Sequence, residues 1–302
     1  MRKINKTIAH VLEMGVPKGF YDLVALAMKE RPKPPQTIVE LWEKLLSVIF
    51  MGGKRSEPDI QFIIKLLRSK NLVQFDQVLA IKGEDWRDKV EELLNERTPR
   101  IQDADSKAVL KEFQKEIFRI SYSIKGSARF LNGITPGSLA KDLDTKEKTW
   151  KFIEDLANNE DVSNIKYTKI ILWLHSIGYG YDFCPPSWHM KKFINNEIGP
   201  YYQFYEDDKY FMKKAAEFSD EVKKRIKEAT ARDVSVAIYY YMSLKNMMPQ
   251  RSAVKKKCTP FAIVQFLKKK KIGLKELSAA LADSESREDM IESFYEFLDK
   301  LR

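Results

Sequence analysis

The residues best suited to chemistry gather in one stretch, Ser163 to Phe193, which reads SNIKYTKIILWLHSIGYGYDFCPPSWHMKKF. Lys166, Lys169, Lys191 and Lys192 supply positive charge; Asn164, Thr168 and Ser187 supply short polar side chains; Tyr181 and Trp188 supply rings. The spacing sets these groups beside two helix starts, where backbone N–H groups without helical partners attract anions. That combination suits a phosphate backbone better than a small neutral substrate. His189, three residues after Pro186 and next to two lysines, is placed either for a phosphate contact or for an ordinary helix surface, and imidazole can titrate near neutrality. Cys184 precedes the Pro-Pro pair at the second helix start, a position that can lower a thiol pKa. His175, on the apolar KIILWLHSIG, reads as a hydrogen-bonded core or boundary histidine.

The elements that must position these residues read as helices almost throughout, and the expected fold class is all-α. Thr37 with Glu40 forms a capping box opening TIVELWEKLLSVIFM, whose Leu41, Leu45, Val48 and Ile49 share one face. Ser56 with Pro58, Thr135 with Pro136 and Thr259 with Pro260 repeat one device, a capping hydroxyl followed by proline in the first turn. Further helices are expected over 85–95, 107–130, 146–158, 207–218, 233–245 and 285–301, with Asp233 capping its own. Trp42, Trp86 and Trp150 fall at core spacing. Gly126 lies mid-helix, where it costs about 1 kcal/mol relative to alanine. Close helix packing explains it best; the alternative is backbone approach to DNA, aided by Lys125 and Arg129. The Pro-rich RPKPPQ and the break NMMPQRS divide the chain into 1–36 (a helical pair and linker), 37–246 (a helical body) and 247–302 (a basic helical appendage).

Composition bounds the partners. The net charge is +10 with 44% hydrophobic and 32% charged residues, a globular balance that favours a polyanionic partner. Arg251 to Lys271 holds eight basic residues and no acid, which reads either as a solvated helix end or as a nucleic-acid contact. Two distant cysteines and three histidines exclude an iron–sulfur cluster within one chain and give no zinc spacing or disulfide framework. No metal and no cofactor are expected. No long charge-free apolar run and no signal-peptide pattern occur, so no membrane partner is expected, and the chain is read as intracellular, cytoplasmic or nucleoid-associated. A monomer is the expectation, although nothing in the sequence sets the oligomeric state.

With these pieces in order, the stretch from about Thr37 to Asn246 resembles the helix-hairpin-helix DNA glycosylase superfamily. LWEKLLSVIF, YSIKGSARFLNG, the hairpin with its following helix, the proline-containing turn and DVSVAIYYYM run in the expected sequence. The resemblance implies an all-α, two-lobed fold that flips a damaged base of duplex DNA into a cleft between lobes. The family hairpin is a leucine-proline-glycine-aliphatic-glycine turn followed by a catalytic lysine, with a catalytic aspartate about twenty residues on, behind a proline. Here the hairpin spans 163–169. Asn164 and Lys166 replace its glycines; Asn tolerates the left-handed conformation, and Lys166 does not if that position needs positive φ. Thr168 stands at the lysine position with Lys169 one step on, and Ser187 stands at the aspartate position, the nearest upstream acid being Asp182.

The resemblance therefore casts Lys169 as a Schiff-base nucleophile and Asp182 as the carboxylate that steadies positive charge on the sugar. Lys166 and Lys169, at i, i+3, each serve as the other's cationic neighbour. Asn164, Lys166, Thr168, Ser187, His189, Lys191 and Lys192 contact the nucleic acid, and Tyr181 and Trp188 stack on a base. Three readings stay open: a glycosylase with β-lyase activity, a non-catalytic nucleic-acid-binding relative, and a helical scaffold whose charge is incidental.

Overall fold

The computed structural model describes residues 18–52, 55–162, 164–198, 202–247 and 257–300. Over these residues the protein is all-α, with fifteen helices and no strand. None of these helices is long and apolar enough to cross a membrane. The chain folds as two compact units, Lys33–Tyr179 and Met1–Pro32 with Gly180–Arg302, here termed the inserted and the terminal unit.

The terminal unit begins with α1 (Lys18–Met28). The inserted unit then runs through α2 (Ile38–Phe50), α3 (Glu57–Arg68), α4 (Phe75–Ala80), α5 (Gly83–Arg97), α6 (Ala104–Leu131), α7 (Pro136–Asp142), α8 (Lys146–Asn158) and α9 (Tyr167–Ser176). The chain returns to the terminal unit with α10 (Trp188–Phe193), continued by a π turn, then α11 (Asp208–Lys223), α12 (Ala231–Met247), α13 (Pro260–Lys270), α14 (Leu274–Ala282) and α15 (Ser284–Lys300).

The helix starts follow the sequence closely. Ser56 and Asp59 form a reciprocal capping box, Thr135 does the same with Ser138, and Thr259 accepts from the Ala262 N–H. Thr37 accepts from the Glu40 N–H, but the Glu40 carboxylate reaches the Gln36 N–H at 2.6 Å instead of returning to Thr37. The α12 start differs from expectation. Asp233 is not the cap; Thr230 precedes the helix, and Asp233 in its first turn accepts from the Thr230 N–H at 2.9 Å.

In the inserted unit, α6 packs against α2, α3, α4 and α5. Leu41, Leu45, Val48 and Ile49 are all buried on α2. Trp42, Trp86 and Trp173 bury their rings and donate their indole N–H groups to the carbonyls of Val73, Leu72 and Leu41, the usual requirement for a buried tryptophan. Trp150, expected in the core, is only half-buried and stacks on Tyr167 at 5.9 Å. Gly126 serves packing: a Cβ there would lie 1.7 Å from the Asp161 carbonyl oxygen, so the loop after α8 rests directly on α6. Lys125 is buried, its ammonium donating to Val78 O (2.6 Å), Leu79 O and Ile81 O at the end of α4.

The expected partition at 36 and 246 meets a different division. The compact units divide at 32/33 and at 179/180. Residues 260–298 are no appendage, because Ile263, Phe266, Leu277 and Phe294 share one core with Phe20, Leu23 and Val24 of α1 and with Phe211 and Ile238. Gly19 shows how closely α1 and α13 approach, since a Cβ there would lie 2.2 Å from the Phe261 backbone. Of the basic run, 251–256 lies outside the described residues, and Lys268, Lys269 and Lys270 occupy the last turn of α13, where cations complement the carbonyl end of a helix.

Candidate active site

Of the stretch expected as the hairpin, 163–169, residues 164–166 lead into α9 and Tyr167 to Lys169 form its first turn; Ser163 lies outside the described residues. Asn164 adopts φ 62, the left-handed conformation that a glycine would otherwise supply. Lys166, in the second glycine place, has φ −116 and ψ −176, extended backbone open to any residue. The substitution that looked severe in sequence carries no strain. The Lys166 ammonium donates to the Ala157 carbonyl at 2.7 Å, stitching the end of α8 to the start of α9. Thr168 stands half-buried in the first turn of α9. Asn164 Nδ2 donates to the Arg119 carbonyl at 3.4 Å, holding the hairpin to α6.

Lys169 follows on the same turn, and its surroundings set it apart. Its Nζ donates to the Ile49 carbonyl at 3.0 Å, at the end of α2 and 120 residues away in sequence. Burial, then the positive charges of Arg119 and Arg55, push its pKa down from 10.5 to about 8, with Glu116 acting weakly the other way. Both causes disfavour an ammonium: one removes water, the other adds like charge. Arg55 and Arg119 both bind one oxygen of Glu116, at 2.8 and 2.5 Å, and Arg55 also donates to the Phe50 carbonyl at 3.0 Å. Burial works against the Glu116 charge, but the hydrogen bonds and charges of the two arginines outweigh it and hold its pKa below the ordinary value.

Arg55, Glu116 and Arg119 were not singled out from sequence. The Glu116–Arg119 pair is visible as an i, i+3 pair on α6, but nothing local ties it to Arg55, 61 residues away. The cationic neighbours of Lys169 are these two arginines rather than Lys166.

The terminal unit takes the remaining candidates into its structure. Asp182 is exposed, with Lys223 at 4.0 Å; it belongs to a different unit from Lys169. Tyr181 is no open platform, because its hydroxyl donates to the Pro32 carbonyl at 3.0 Å and Arg31 lies over its ring. Ser187 caps α10 by accepting from the Met190 N–H at 3.3 Å. Lys191 is tied to the Asp208 carboxylate at 2.6 Å and to the Tyr205 carbonyl. His189 has its pKa lowered by burial and by Lys192, and its ring approaches the Ser243 hydroxyl at 3.4 Å.

Cys184 departs furthest from expectation. Burial pushes its thiol up to about 12, and its Sγ is 3.1 Å from the Ala231 carbonyl; it is a packing residue, not a nucleophile. His175 is buried, as expected of a core histidine. Trp188 is 56% exposed, and the half-buried Lys192 sets its ammonium 4.7 Å from the Trp188 ring centre.

A half-buried lysine amine whose pKa is lowered to about 8 and that sits beside a carboxylate–arginine cluster has the chemistry to attack an aldehyde carbon and form a Schiff base. No protein-family model matches this chain, and neither a curated protein nor a solved structure matches it.

Proposed function

We propose that this protein is a helix-hairpin-helix DNA glycosylase with lyase activity, acting through Lys169 on damaged duplex DNA. The observation that carries the reading is the desolvated amine of Lys169 on the first turn after the hairpin, beside Arg55 and Arg119. The positive φ of Asn164 supports it, because a glycine of the family hairpin would take the same sign of φ.

In the lyase step, the neutral Lys169 amine adds to C1′ of a ring-opened abasic sugar. Water leaves and an iminium forms. Loss of the C2′ proton to solvent and cleavage of the C3′–O bond then expel the 3′ phosphate, and hydrolysis returns the amine. Base removal calls for transition-state charge stabilisation by a carboxylate, and this reading rests on the lyase step at Lys169.

A second reading, a nucleic-acid-binding relative without catalysis, is favoured by one specific fact. Ser187 is a helix cap at the place where the family carries its aspartate.

Borohydride trapping on duplexes bearing an abasic site, uracil or 8-oxoguanine separates the two. The expected result is a covalent adduct lost in Lys169→Ala and kept in Lys166→Ala. Salt-sensitive duplex binding without adduct or base release selects the second reading.

A further inference from the structure

On the inserted unit, one face of α6 floors a groove of about 500 Å³, walled by the start of α5 and by Glu160 and Asp161 after α8. That volume is within the range of small-ligand sites, about 300–1,000 Å³. Phe118 and Tyr122, one turn apart on α6, line it with their rings 5.0 Å apart at 70°. They are 60% and 55% exposed, an apolar surface that folding leaves wet. Around them, Lys82, Arg129 and Glu160 have no ion-pair partner among the described residues; Arg87 also lines the groove but is paired with Asp88 at 3.2 Å, and Glu84 stands at the same wall. The floor is fixed, because Lys125 is tied to the end of α4 and Gly126 to the loop after α8.

We infer that this groove is a second nucleic-acid site, in which an unpaired base of a single strand stacks on Phe118 and Tyr122 while Lys82 and Arg129 meet its flanking phosphates. Accessible rings interleaved with cations are what a single strand requires, since every base has a stacking face and every phosphate a charge. Glu160 and Asp161 fit the same occupant by accepting from exocyclic amino groups. An apolar peptide would leave these charges unmatched, and a stiff duplex offers no free base to the rings. The inference rests on the reading that this protein binds nucleic acid, but it uses neither Lys169 nor its chemistry.

The test uses the full chain and a ten-nucleotide single-stranded DNA carrying one 5-iodouracil, irradiated and mapped by mass spectrometry. Its unmodified counterpart is titrated by fluorescence anisotropy. A cross-link at Phe118 or Tyr122 is expected. So is affinity roughly ten- to hundred-fold weaker in Phe118→Ala/Tyr122→Ala, the range that corresponds to losing about one stacked base. Arg129→Gln should weaken binding several-fold. Cross-links confined to other residues, unchanged affinity in the double variant, or no binding of the oligonucleotide would each overturn the inference. Borohydride trapping is read in parallel and should survive in the double variant. If the wild type gives no trapped adduct but cross-links at Tyr122, the Lys169 reading fails and the groove stands. The wild-type cross-link needs no variant, so a double variant that fails to fold leaves the inference testable.

Discussion

The two halves of the stretch 163–193 look alike as sequence, each a polar helix start followed by lysines, and the folded chain treats them oppositely. In the inserted unit, Lys169 is drawn out of water toward the Ile49 carbonyl with two arginines nearby, so its charge is disfavoured. In the terminal unit, Lys191 is also half-buried but meets Asp208 and the Tyr205 carbonyl, so its charge has matching partners. Burial alone does not make a reactive lysine. What decides is whether an acceptor of opposite charge comes with the burial.

The largest expected effect tests the first half directly. Adduct formation should rise with pH through about 8, the point at which half of the Lys169 amine is free, and should fall to background in Lys169→Ala. Trapping that instead rises only toward pH 10 would place Lys169 among ordinary surface lysines and remove the contrast.

Next in size is Asp233→Asn in the terminal unit. Asp233 is fully buried and accepts from Arg31 at 2.5 Å and from Arg232 at 3.2 Å. Breaking a buried pair of this kind costs about 3 kcal/mol, readable as a lower denaturant midpoint. Burial opposes the Asp233 charge, but Arg31 and Thr230 outweigh it and lower its pKa. Its stabilisation is therefore complete above the ordinary value of 3.8 and is lost as pH falls through the lowered one. The wild type should lose its advantage over Asp233→Asn on acidification, and an unchanged gap at low pH would contradict the assignment.

Gly126→Ala should destabilise by about 2–3 kcal/mol, because the added methyl overlaps the Asp161 backbone and something must move. Since the loop that moves leads into the hairpin, trapping by Lys169 should weaken as well. A loss of stability with trapping unchanged would show that the hairpin holds its place without this contact.

The smallest effects distinguish neighbours. Lys191→Ala should cost about 1–2 kcal/mol of stability through the orphaned Asp208 and Tyr205 carbonyl. Lys192→Ala should leave the melting temperature unmoved and reduce the salt slope of DNA binding by about one. The reverse pattern would exchange their roles.

Much of the local structure was legible in the chain. The capping residues Ser56, Thr135 and Thr259 mark their helices because their hydroxyls answer the nearest free N–H groups, a short-range matter. Asn164 could be read as a left-handed residue for the same reason. Tyr181 and Cys184 were misread because their partners, the Pro32 and Ala231 carbonyls, are 149 and 47 residues away. The α13–α15 segment read as an appendage because nothing in its periodicity says that α1 will cover it.

The sequence by itself determined an all-α chain, the positions of most helix ends, a turn after α8 that tolerates Asn164, and a surplus of positive charge, all properties of neighbouring residues. Only the tertiary structure decided which lysine loses its water, which arginines stand beside it, and which rings stay exposed on α6. Those outcomes depend on groups brought together from distant helices, where desolvation and Coulomb terms act through space rather than along the chain.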